Sequence, residues 1–105
     1  MEEPNLSYIH SMSGGDTNFE QKLIAIIKQE FPKEKAIYYE NYNAGNFKMT
    51  ADNVHKLKHK ISILGLEKSY GIAVAFENNL LEGKTELSEA FEAILNNMTN
   101  YLTTL

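Results

Sequence analysis

No cysteine occurs among the 105 residues. Disulfide frameworks, thiolate metal sites and thiol nucleophiles are therefore excluded, and the chain suits a reducing compartment. Proline is almost as scarce, at positions 4 and 32 only. The glycines fall mostly between periodic segments, and no run alternates apolar and polar residues for long, so little sheet is expected. No segment approaches the roughly 20 apolar residues that span a bilayer. The opening Met1-Glu2-Glu3-Pro4-Asn5 lacks the basic start and apolar run of a signal peptide, so the cytoplasm is the expected compartment, with no membrane partner. A net charge of -4 does not supply the strongly positive face that most nucleic-acid binding needs. There is no repeat, low-complexity segment or linker, and the length suffices for one hydrophobic core, so residues 1–105 are expected to form a single domain.

What the chain does have is helical periodicity. Leu6, Ile9 and Met12 suit a short opening helix closed by Gly14-Gly15. Thr17 and Glu20 have capping-box spacing, and Phe19, Leu23, Ile26 and Ile27 then recur at helical intervals. Pro32 should kink this second helix, whose pattern resumes with Ala36, Ile37 and Tyr39 and runs to about Tyr42. Gly45 and Asn46 read as a stop and the next N-cap. Phe47, Val54, Leu57, Ile61 and Leu64 give the third helix one apolar stripe. A fourth helix from about Glu67 carries Ile72, Ala73, Phe76 and Leu80 and stops at Gly83. A fifth begins at Thr85 and carries Leu87, Phe91, Ile94, Met98, Tyr101 and Leu105. The fold expected is all-α: an antiparallel up-down four-helix bundle with a short N-terminal fifth helix. No apolar stripe is left over once the core is assigned, so a monomer is expected.

Charge is uneven along the chain. Between Asn46 and Tyr70 stand five lysines (Lys48, Lys56, Lys58, Lys60, Lys68) against two acids, Asp52 and Glu67. At about 100° per residue, His55 falls roughly 130° from the centre of the third helix's apolar stripe and so should face solvent. Lys58 and His59 lie one turn from it, Ser62 about two turns on and Lys48 two turns before, on the same flank. A neutral imidazole offers a nucleophilic nitrogen near neutral pH, and neighbouring ammonium groups lower the cost of placing a phosphoryl group on it.

The stretch Val54-His55-Lys56-Leu57-Lys58-His59 with Gly65 resembles the motif of histidine-phosphotransfer (HPt) domains, apolar-His-x-Leu-Lys-Gly with a second Gly six positions on. Leu6 to Phe31 looks like that family's short helix, Gly-Gly-Asp turn and long helix, and Phe76-Glu77 resembles its apolar-Glu/Gln pair. The resemblance implies a carrier with no kinase or phosphatase site of its own. His55 would accept a phosphoryl group on Nε2 from an aspartyl phosphate, with Lys58 supporting the charge and Glu77 orienting the ring. The partners implied are receiver domains of response regulators and hybrid histidine kinases, docking partly on Ile9, Met12 and Ile63. Any Mg²⁺ would sit in the receiver, since this chain has neither a Gly-rich nucleotide loop nor an acidic cluster for magnesium. His59 departs from the motif, standing where the family has glycine; with Ser62 and Lys48 it is a candidate modulator of the site.

Two other classes compete. His55 and His59 at i and i+4 put two imidazoles on one face, as metal ligands require, but lysines crowd them and no third ligand accompanies them. A non-catalytic bundle adaptor could use the same surface for docking alone. His10 reads as an isolated surface residue, and the cluster Tyr38, Tyr39 and Tyr42 as packing.

Overall fold

The apolar periodicity resolves into five helices in the computed structural model, which describes residues 2–105. They are α1 (Ser7–Ser13), α2 (Thr17–Asn43), α3 (Phe47–Ile63), α4 (Glu67–Leu81) and α5 (Ser88–Leu102). Among the described residues there is no strand, and no helix is long and apolar enough to cross a membrane. α3 packs against both α2 and α4, α4 meets α5, and α5 returns to α2. Polar pairs show the directions. Asn41 of α2 meets Asn53 of α3, whereas Glu34 and Glu30 meet Lys60. Likewise Tyr38 bonds Glu92 of α5, and Lys35 bonds Thr99. Partners that advance along one helix retreat along the other, so α2 runs antiparallel to both.

Several boundaries differ from the sequence expectation. Asp16, not Thr17, caps α2, its carboxylate accepting from the Phe19 amide at 3.1 Å. Glu20 turns instead to α1, where it accepts from the Ser13 hydroxyl and lies 2.6 Å from His10 Nδ1, so His10 is not isolated. α2 continues through Pro32 to Asn43. Proline lacks the amide that would bond the Lys28 carbonyl, but Pro32 is exposed, so water can reach that carbonyl. α5 starts at Ser88 and not at Thr85, because Leu87 takes a left-handed φ of 76° just before it. That conformation costs a non-glycine residue about 1–2 kcal/mol. Leu105 lies beyond the end of α5 and is exposed, so it is not part of the stripe.

The core is drawn from every helix. Val54, Leu57 and Ile61 of α3 with Leu64 just beyond its end, Phe76 and Leu80 of α4, and Phe91, Leu95 and Met98 of α5 are essentially solvent-free. Tyr38 of α2 is buried among the rings of Tyr39, Tyr42, Phe76 and Phe91, with centroids 5.0 to 6.3 Å away. Its hydroxyl donates to Glu92 Oε2 at 3.0 Å, and burial together with that carboxylate raises its pKa far above the usual phenol range. α2 has 27 residues against 17 in α3, so its N-terminal turns overhang. Phe19 and Ile26 are exposed, while Ile27 is buried.

The segment before α1 is tied down. Asn5 donates its amide to the Leu64 carbonyl at 2.9 Å. Leu66 precedes α4 and offers no side-chain cap. The Glu2 carboxylate fills that role, accepting from the Lys68 and Ser69 amides at 3.0 and 2.9 Å, while Asn97 donates to the Glu2 carbonyl. Gly65, between α3 and α4, has φ +76°, and a Cβ there would stand 2.7 Å from the Asn5 side chain.

Gly65→Ala should therefore lower stability by about 2 kcal/mol in urea unfolding, combining backbone strain with displacement of Asn5. Desolvation pushes the Glu2 pKa up, but the Lys68 and Ser69 amides and the Lys68 charge outweigh it, leaving the group below its ordinary value of 4.5. A carboxylate with a lowered folded-state pKa stabilises fully above its ordinary value and loses that contribution as pH falls through the lowered one. Thermal melts between pH 5 and 3 should accordingly show a smaller acid loss in Glu2→Gln than in the wild type.

Candidate functional site

Burial of α3 decides which of its side chains are left for a partner. Val54 and Leu57 are solvent-free, and that fixes the rotation of the helix between α2 and α4. His55, Lys56, His59 and Ser62 then emerge on its outer face, with Lys48 exposed near its start. The His55 side chain is 55% exposed.

The ring is nevertheless held at one edge. His55 Nδ1 lies 3.3 Å from Oε2 of Glu77 on α4, whose side chain is 18% exposed. Phe76, the preceding residue, is fully buried and anchors that turn of α4. A carboxylate accepts a hydrogen bond, so the proton of the neutral ring belongs on Nδ1, and Nε2 keeps its lone pair on the opposite edge. The other Glu77 oxygen, Oε1, lies 2.9 Å from the Lys58 ammonium. Lys58, 12% exposed, sits between α3 and α4 with its ammonium 5.7 Å from the centre of the Tyr70 ring. One carboxylate thus joins the lysine and the histidine expected at the site.

The basic patch is smaller than the sequence implies. Lys60 is buried and points to α2, 3.0 Å from Glu30 and 3.4 Å from Glu34. Helical position explains this: Lys60 precedes the buried Ile61 and follows Leu57 by three residues, which places it on the seam with α2. Lys48 and Lys56 have no carboxylate within 4.0 Å among the described residues. The His59 ring is exposed and meets His55 edge to face, with centroids 5.4 Å apart and planes at 68°.

The expected docking trio does not form one exposed face. Met12 is exposed and Ile63 partly so, but Ile9 is solvent-free and belongs to the core. The apolar spacing of a seven-residue helix suits either burial or docking, and the packing chose burial. Among the described residues no group of three or more metal-ligating side chains forms, so His55 and His59 remain a two-ligand pair. The Lys58–Glu77 contact was not legible beforehand, since it depends on the register of α4 against α3. The only sequence signal was that Glu77 follows a core phenylalanine.

The arrangement provides an exposed imidazole with one nitrogen engaged, the other free, and a carboxylate able to offset positive charge on the ring. No protein-family model matches the chain, and comparison with curated proteins and with solved structures likewise returns no match.

Proposed function

We propose that the chain is a histidine-phosphotransfer protein, a phosphorelay intermediate that carries a phosphoryl group on His55 between receiver domains of response regulators or hybrid kinases. The observation that carries it is the contact of Glu77 with Nδ1, which directs the lone pair of an exposed histidine outward on Nε2. In this role α2 to α5 act as an up-down four-helix bundle with α1 as the short fifth helix, working in the cytoplasm. The antiparallel pairing of α2 with α3 and α5 supports that arrangement.

The step itself is a transfer between two nucleophiles. Nε2 attacks the phosphorus of the receiver's aspartyl phosphate, the Nε2–P bond forms, the acyl O–P bond breaks, and the aspartate leaves as carboxylate. The ring, now bearing a proton on Nδ1 and phosphorus on Nε2, gains positive charge. Glu77 offsets it and keeps the ring oriented, as a carboxylate does for a catalytic imidazole elsewhere. Lys58, bound to the second oxygen of Glu77, holds that carboxylate in place. The return transfer reverses these steps. Mg²⁺ belongs to the receiver's acidic pocket.

Incubation with a phosphorylated receiver domain should place an acid-labile, base-stable label on the wild type and none on His55→Gln. Label that persists in the variant would remove His55 as the acceptor, and label that never reaches the wild type would leave only the role of a docking adaptor. Glu77→Gln should slow transfer about tenfold to a hundredfold, the scale of losing one charge-assisted hydrogen bond. Lys58→Ala should slow transfer by about tenfold and lower stability by about 1–3 kcal/mol, because it leaves the seam oxygen of Glu77 without its partner while the core stays filled. Rapid-quench measurement of transfer, with urea unfolding of each variant, checks both.

A further inference from the structure

We infer that His59, when protonated, is the charge that holds the phosphoryl group on His55, making the phosphoryl load of this carrier depend on pH. This role presupposes phosphorylation of His55. Three observations lead to it.

His59 presents its ring directly to that of His55, centroids 5.4 Å apart, on the solvent face of α3. A group attached to Nε2 of His55 is thus within reach of the neighbouring imidazole. Two of the other lysines of α3 are already engaged. Lys58 is paired with Glu77, and Lys60 with Glu30 and Glu34 of α2. The exposed lysines of the face are placed less well. Lys48 stands two turns from His55, roughly 10 Å along the axis, where exposed charges are strongly screened. Lys56, the next residue, projects about 100° around the helix from His55.

The charged groups around His59 are few. On α3 they are Lys56 one turn before, Asp52 two turns before, and the adjacent Lys58 and Lys60. From α4 comes Glu77, shared by His55 and Lys58; from α2 come Glu30 and Glu34, both on Lys60. None of these carboxylates pairs with His59, so the strongest anion His59 could meet is the phosphoryl group itself. An imidazole changes charge between about pH 8 and 5, unlike a lysine. A glycine at this position would supply no charge at all. A cationic imidazole at this position favours the phosphorylated form of His55. That charge leaves the receiver's own aspartyl phosphate untouched, so the equilibrium moves toward the carrier relative to a variant without His59.

The test is the equilibrium distribution of label between one phosphorylated receiver domain and the wild type, His59→Gln or His59→Lys, at pH 8 and pH 6. The position of equilibrium does not depend on how fast the proteins dock, and the receiver is common to all three. The ratio of wild-type to His59→Gln loading should be near one at pH 8 and rise about two- to fivefold at pH 6, the scale of one exposed charge pair. His59→Lys should load well at both pH values. A wild-type to His59→Gln ratio that stays constant from pH 8 to 6 would overturn the role of His59 while leaving His55 as the carrier. Absence of label on the wild type would overturn both.

Discussion

The apolar stripe of α3 is buried on two sides at once, by α2 and by α4, and the remaining structure follows from that placement. Ala51, Val54, Leu57, Ile61 and Leu64 are withdrawn from water together, each of the larger ones contributing about 1.5–3 kcal/mol to folding. A helix held along one face has no rotational freedom left, so its opposite face is specified as firmly as its core. His55 and His59 are exposed because Val54 and Leu57 are not. The same rotation sets Lys58 on the α4 seam and Lys60 on the α2 seam, where each finds carboxylates.

Those seam pairs change the electrostatics of the exposed face. A lysine-rich helix read as a string suggests a cationic surface, yet two of its lysines are neutralised by neighbours far away in sequence. What remains around His55 is less a basic patch than a carboxylate behind the ring and a second imidazole beside it. Glu77 is the pivot of this arrangement. Its two oxygens serve different partners, so the pair that anchors Lys58 also sets the tautomer of His55. One side chain thus ties the α3–α4 seam to the ring of His55.

The N-terminal segment completes the end of the molecule where α3 turns into α4. Glu2 supplies the cap that α4 lacks, and Asn5 bonds the last turn of α3 and occupies the space left by Gly65. Gly65 is favoured there for two reasons, a backbone angle costly to residues with a Cβ and a side chain packed where that Cβ would be. The overhanging N-terminal turns of α2 are the counterpart, with Phe19 and Ile26 open to solvent and only the short α1 nearby.

Periodicity alone was enough for the number of helices, their order, the α3 stripe and the exposure of His55, because each depends on the 3.6-residue repeat of a single segment. It did not place the helix starts: Asp16 and Thr17 are adjacent residues of similar capping ability, and α5 begins at Ser88 behind a left-handed Leu87 that offers no side-chain cap. It also could not distinguish Ile9 as core from Ile9 as docking surface, nor Lys60 as seam from Lys60 as patch. Those outcomes depend on what lies across from each side chain, and a helical pattern contains no information about its neighbour. The link from Lys58 through Glu77 to His55 is of the same kind: residues on two helices become one site only when packing fixes the register between them.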